Sequence, residues 1–245
     1  MKIGVVRNPV AGGGRLGAHW ADVVAALSLR FSDLEIRETQ EPGDGAVLAR
    51  DLVALGCEIV VAAGGDGTIS EVADGLLQMQ AETGNGAVLG ILPCGTGLDF
   101  ARGLGIPFDV AGAVERIASG TDRSIDAGRI CFIEDHGRLA SRHFVNIASL
   151  GMSGATVRAV NSDRRKGRGS AKALFFWRTV TEFLRYRFQD VRITVDDGAP
   201  VEAKVALVAV ANERFFGGGM MIAPDAAPDD GLFDIVILRA ASKLR

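Results

Sequence analysis

The 245-residue chain has few of the residues that mark several large protein classes. Its three cysteines, Cys57, Cys94 and Cys131, are odd in number, widely spaced and form no CxxC pair. That pattern excludes a disulfide framework and a cysteine-based zinc site, and it fits a reducing cytoplasm. The three histidines, His19, His136 and His143, show no ligand spacing and read as structural or surface residues. No stretch offers about 18 consecutive apolar residues, so no segment is expected to span a membrane. The brief apolar run before Arg7 is too short for a signal peptide. Positive charge is not in excess either. With 27 basic and 30 acidic residues the net charge is −3, which argues against a general nucleic-acid binder. The phosphate-loop pattern GxxxxGKS/T occurs nowhere, and no GxGxxG opens the first strand–helix unit.

What the chain does have is glycine, 32 residues against 7 prolines, in an otherwise ordinary globular composition of 48% hydrophobic and 23% charged residues. The glycines cluster after apolar runs. Residues 2–7 read as a buried strand ending at Asn8-Pro9, followed by the loop VAGGGR (10–15) and helical spacing over 16–30. A short strand is expected around 34–38, a helix over 44–55 and a strand at 59–63. GGDGT (64–68) follows, then a helix near 69–79, a strand at 87–93 and the loop CGTGLDFAR (94–102). Alternation of this kind implies a parallel sheet covered by helices on both faces. From about residue 122 the pattern changes to strands in series, at 124–134, 142–150, 191–197 and 201–212, broken by one helical stretch over 153–188. The expectation is therefore an α/β nucleotide domain over 1–122 and an antiparallel β-rich domain over 123–245.

GGDGT carries the most specific chemistry. Glycines between a strand and a helix let backbone N–H groups approach an anion, and the helix N-terminus adds a favourable dipole. Thr68 can cap that helix or hydrogen-bond a phosphate. Asp66 would repel phosphate unless a Mg²⁺ lies between them, so the loop reads as a nucleotide-phosphate site with a metal. In open α/β sheets ligands bind beyond the carboxyl ends of the strands, so Thr96 should face the same edge as Thr68 and the three glycine loops should converge there. Asp99, near a helix start, is read as an N-terminal charge or a site residue. The run Gly217–Gly219 reads as a bulge or a close-packing point. The acidic turn from Pro224 to Gly231 could hold a divalent ion through oxygen ligands. Between 158 and 188 nine Arg or Lys residues face only two acids, interleaved with aromatics. That fits either a solvated face with core aromatics or a peripheral site on an anionic membrane.

Taken together and in order, NPVAGGGR (8–15), GGDGT (64–68), LPCGTGLDFAR (92–102) and GGGMMIAPDAAPDDGLFD (217–234) resemble the diacylglycerol kinase catalytic-domain family of lipid kinases, which includes sphingosine, ceramide and bacterial lipid kinases. GGDGT alone is shared with NAD kinases. The resemblance implies an NAD kinase-like three-layer nucleotide domain, a C-terminal β-sandwich and an active site between them. It implies transfer of the γ-phosphate of ATP to a lipid hydroxyl with Mg²⁺. By motif, Asn8, Thr39, Gly65, Asp66, Gly67, Thr68, Glu71 and Thr96 would contact the nucleotide. Asp66, Asp99 and Asp126 would be the acidic residues of the catalytic cleft. Asp230 and the carbonyls of Ala227 and Leu232 would match the family's metal-binding loop. Two departures stand out. Leu98 occupies the usual Asn position of the third loop, and no acidic DGE-type turn, which supplies the family's proposed base, follows residue 234. The β domain is accordingly expected to be incomplete, with exposed strand edges. A small-molecule kinase of the NAD kinase type and a nucleotide-binding remnant without the base are the alternatives, and a homodimer is compatible with any of them.

Overall fold

A computed structural model describes residues 1–120, 122–165, 177–179, 181, 182 and 185–240. The N-terminal part is built from β1 (Lys2–Arg7), a 3₁₀ turn (Ala11–Gly13), α1 (Arg15–Ala18), α2 (Trp20–Arg30), β2 (Asp33–Glu38), α3 (Asp44–Ala54), β3 (Ile59–Gly64), α4 (Asp66–Thr83), β4 (Val88–Pro93), α5 (Asp99–Gly103) and α6 (Val110–Ser119). The four strands pair in parallel in the order β2-β1-β3-β4.

Period-two alternation divides this sheet's side chains between two cores. Val6, Val60, Ala62 and Ile91 pack with Leu52, Val72 and Leu76 of α3 and α4. Ile3, Val5, Val61, Ala63 and Leu92 pack on the other face with Val23 and Leu27 of α2 and Val114 of α6. The helices after β1 and β3 therefore lie on opposite faces. That makes the crevice beyond the carboxyl ends of β1 and β3 the switch point of the sheet, where ligands of open α/β sheets sit.

The second part holds β5 (Gly128–Ile133), β6 (Leu139–Phe144), β7 (Ile147–Gly151), α7 (Met152–Arg165), β8 (Gln189–Ile193), β9 (Val201–Ala211), β10 (Phe215–Phe216), β11 (Met220–Met221) and β12 (Asp234–Arg239). An antiparallel sheet runs β12-β9-β7, with β8 also pairing β9. β5 and β6 form a separate hairpin, and β10 and β11 a short ribbon. The mixed architecture, parallel then antiparallel, is the one the element pattern predicts.

Several local expectations are corrected. The helix expected at 69–79 starts at Asp66 and runs to Thr83, so Asp66, Gly67 and Thr68 form its first turn. The helix over 16–30 is interrupted at His19. The strand expected over 142–150 is two strands, because the chain leaves the hairpin at Val145 and enters the larger sheet at Ile147. Helix α6 has no counterpart in the sequence reading. Gly217–Gly219 is the turn of the β10–β11 ribbon, with all three φ angles between 66° and 108°, a region open to glycine without strain. The basic and aromatic stretch 158–188 lies largely outside the described residues; Trp177 within it is exposed.

Candidate functional site

Each loop at the switch point is placed by the strand before it. Asn8 leaves β1 with its N–H on the Ala63 carbonyl at 3.0 Å. Its side-chain Nδ2 donates to Thr68 Oγ1 at 3.1 Å, joining the first loop to the first turn of α4. The Thr68 hydroxyl is thus buried and engaged with Asn8. Gly65, the residue before α4, is extended, and no side chain caps the helix. Thr39 follows β2 and donates its N–H to the Arg7 carbonyl at 2.9 Å.

The loops after β3 and β4 touch backbone to backbone. Cys94 N–H donates to the Gly64 carbonyl at 2.8 Å. A methyl group on Gly95 would fall 2.5 Å from the Gly65 Cα, and one on Gly65 3.2 Å from the Gly95 Cα. Only glycine permits this approach, which sets half-buried Thr96 beside the start of α4.

Asp66 and Asp99 meet across the same junction. Asp66 Oδ1 accepts the Phe100 N–H at 3.1 Å, tying the first turn of α4 to that of α5. Around Gly97, the position of a would-be Cβ lies 3.0 Å from Asp66 Oδ2, 3.7 Å from Asp99 Oδ2 and 3.8 Å from the Gly218 Cα. Asp99 is 5% exposed. Its Oδ2 accepts the Gly218 N–H at 2.7 Å, while Oδ1 is buried without a partner. Burial pushes the Asp99 carboxyl above its ordinary range and the charge of Asp66 adds to this, against the N–H groups of Gly218 and Gly219 and the Arg102 guanidinium. Arg102 lies over the rings of Phe108 and Phe215, 5.3 and 5.8 Å from their centroids. Leu98, immediately before α5, has φ 56°, a left-handed conformation in which Asn is far better tolerated than Leu.

The remaining predicted residues fall into two other groups. Glu71, one turn along α4, accepts the N–H of Gly43 at 3.0 Å and of Gly45 at 3.1 Å, so its carboxylate holds the start of α3. Asp126 is tied to the acidic turn. Its N–H donates to the Pro228 carbonyl at 2.6 Å and its Oδ2 accepts the Gly231 N–H at 2.7 Å. Asp230 Oδ1 accepts the Leu232 N–H at 2.9 Å in the same turn, which also contains Ala227. Among the described residues no group of three or more His, Cys, Asp or Glu side chains is placed to hold a metal ion.

Sequence reasoning missed Glu213 and Asp74. Glu213, at the end of β9, is 1% exposed and has Oε1 buried without a partner. Burial raises its pKa, against the Arg214 N–H. Asp74 is buried on α4 and accepts both the N–H and the ring Nδ1 of His143, at 2.8 and 2.9 Å. A charged residue inside an apolar helix face was the only available signal for Asp74, and Glu213 had none.

A parallel sheet with a glycine-lined switch point, an acidic pair at helix starts and a β10–β11 ribbon supplying Gly218 define a class. The chain belongs to the diacylglycerol kinase catalytic domain family, whose model matches residues 2–130. Residues 146–245 match the YegS C-terminal NAD kinase beta sandwich-like domain. Among relatives, it is 34% identical over 213 residues to a protein of Chromohalobacter salexigens named as a YegS-like lipid kinase, covering 86% of this chain and 64% of that one. It is 30% identical over 239 residues to a diacylglycerol kinase of Bacillus subtilis, covering 97% and 74%. A solved diacylglycerol kinase from Bacillus anthracis superposes with a TM-score of 0.70 at 27% identity, covering 97% of this chain and 73% of that one. The chain spans 64–66% of the length of the first two curated relatives it matches. No helix among the described residues is long and apolar enough to cross a membrane.

Proposed function

We propose that this chain transfers the γ-phosphate of ATP to the hydroxyl of a diacylglycerol-like lipid, at the junction of α4, α5 and the β10–β11 turn. The observation that carries the reading is the meeting of Asp66 and Asp99 around Gly97, at a switch point whose loops are glycine-lined. Two carboxylates this close, one with a buried oxygen lacking a partner, fit a divalent cation. A bound Mg²⁺ would supply charge neutralisation for the phosphates. The acidic turn offers a second oxygen-rich position through Asp230 and the carbonyls of Ala227 and Leu232, braced by Asp126.

In this reading the substrate hydroxyl oxygen bonds to the γ-phosphorus as the bridging oxygen to the β-phosphate leaves with ADP. The protein's part is positioning and electrostatic stabilisation. Backbone N–H groups of Gly65 to Thr68 and the side chains of Asn8, Thr39 and Thr96 line the nucleotide's path, and Glu71 supports it by holding the loop that follows Thr39. We place the boundary between a nucleotide domain (1–122) and a β-rich domain (123–245) at the connection that Asp126 ties to the acidic turn. Association with an anionic membrane surface would bring the chain to its substrate.

The test is γ-labelled ATP with mixed lipid vesicles and Mg²⁺, comparing the chain with Asp66→Asn. Label in the lipid fraction, reduced at least a hundredfold in the variant, is expected. Equal transfer by both proteins would refute the assignment of Asp66, and label passing to NAD but not to lipid when both are supplied would refute the substrate class.

A further inference from the structure

Three consecutive residues just past β9 join parts of the site that lie far apart in sequence. Asn212 is fully buried. Its N–H donates to the Asn146 carbonyl at 2.9 Å, and its Nδ2 to the carbonyls of Asp126 and Val145 at 2.8 and 2.9 Å. The Arg214 carbonyl accepts the Ile222 N–H at 3.0 Å, which closes the base of the β10–β11 ribbon, and Arg214 Nε donates to the Ala226 carbonyl of the acidic turn at 3.1 Å. Glu213 stands between these two anchored residues.

The Glu213 side chain lies against the last residue of α5. A methyl group on Gly103 would overlap Glu213 Oε2 and fall 2.9 Å from Oε1, so the carboxyl group fills the space a Gly103 side chain would take. α5 has five residues. Its first, Asp99, holds the Gly218 N–H, and its last rests on Glu213. A helix this short moves as one body, so a shift at Gly103 is passed on to Asp99.

Filling space does not by itself call for an acid here. Glu213 is 1% exposed, and its Oε1 has no hydrogen-bond partner among the described residues. Burying such a group costs stability, and the C-terminal end of a helix is the unfavourable pole for a carboxylate. The gain is orientation. Oε2 accepts the Arg214 N–H at 3.2 Å, so the carboxyl group is fixed from its own backbone while it bears on Gly103.

We infer that Glu213 is a positioning residue of the proposed phosphoryl-transfer site, holding the end of α5 so that Asp99 keeps its place beside Asp66 and Gly218. The catalytic meaning rests on the kinase reading, whereas the placement of Asp99 is measured without it.

The full chain is compared with Glu213→Gln, Glu213→Ala, the double variant Glu213→Ala/Gly103→Ala and Val114→Ala, a destabilised control in the other core. Circular dichroism checks that each folds. Hydrogen exchange of the Gly218 amide reports its bond to Asp99, and kcat and KM for ATP are read with mixed lipid vesicles and Mg²⁺. Glu213→Ala is expected to speed Gly218 exchange and to lower kcat by about tenfold or more each, with KM changed far less. Glu213→Gln keeps the shape and the acceptor and should stay close to the parent in both. The Gly103 methyl takes up space that Glu213→Ala vacates, so the double variant should lie nearer the parent than Glu213→Ala does. Val114→Ala should lower the urea midpoint and leave both readouts near the parent.

Unchanged Gly218 exchange in Glu213→Ala overturns the inference, as does a double variant further from the parent than Glu213→Ala. Equal losses of kcat in Glu213→Ala and Val114→Ala also overturn it, since Glu213 then serves stability alone. If the parent transfers no label to lipid while Gly218 exchange follows the expected order, the kinase reading fails and the placement of Asp99 by Glu213 stands.

Discussion

At the scale of single residues, the site depends on what is small and on what is buried. Gly95 is the sharpest case, since any Cβ there meets the Gly65 backbone at 2.5 Å. Backbone cannot rotate out of the way as a side chain can, so Gly95→Ala should separate the two phosphate loops. We expect a stability loss of about 1–3 kcal/mol, from overpacking, and a larger proportional loss of nucleotide affinity. Urea denaturation and ATP titration measure the two, and unchanged ATP affinity would mean that the loops do not act together. Glu213 makes a pH-dependent prediction. Its carboxyl titrates higher in the folded chain than in the unfolded one, chiefly through burial, with Asp229 raising it further and Arg214 and Arg123 opposing. Folding therefore retains a proton that the unfolded chain has already released. The associated stability is full below the unfolded carboxyl's range and is lost as pH rises through the folded value. Glu213→Gln should raise the urea midpoint at pH 7, with the gain shrinking towards pH 4. A gain of equal size at both pH values would place the cost of Glu213 in packing instead of charge.

At the scale of elements, one clasp docks the β5–β6 hairpin onto α4. Asp74 receives two hydrogen bonds from His143, and the hairpin pairs with no other strand among the described residues. Asp74→Ala leaves the His143 N–H without its acceptor, and should cost about 2–3 kcal/mol. Asp74→Asn keeps an acceptor and should cost less. Hydrogen exchange localises the effect: faster exchange confined to residues 128–144 is expected in Asp74→Ala, whereas uniform acceleration would show that the clasp contributes to global stability alone. The helix starts work in the same way. The Asp66–Phe100 hydrogen bond ties α4 to α5, whose Phe100 and Ala101 share a core with Ile69 and Val72, so the acidic pair is positioned by elements that begin at one point.

For the whole molecule, the switch point has a thermodynamic consequence. A ligand that binds only the folded chain stabilises it by about 2.7 kcal/mol at a hundred times its Kd. ATP at that excess should raise the thermal midpoint of the parent chain and leave Gly95→Ala little changed at the same concentration. Differential scanning calorimetry reads both, and an equal shift in the two proteins would move the nucleotide away from the β3 and β4 loops.

The sequence by itself determined the order of elements, the change from parallel to antiparallel sheet and the loops at the carboxyl ends of β1, β3 and β4. These follow from local information: period-two apolar runs, glycines after strands, and direction reversal at turns. Asn8, Asp66, Thr68 and Thr96 were legible for the same reason, because a parallel sheet delivers the ends of its strands to one edge. Tertiary structure alone decided what depends on distant segments meeting. Asp99 gained its raised pKa from burial, opposed by the N–H of Gly218, 119 residues away. Glu71 was drawn to the start of α3, and Asp126 to the acidic turn. Glu213 became a buried acid. Periodicity specifies which face of an element is apolar, whereas the partner of a polar group is chosen by packing between elements, and no local pattern encodes that choice.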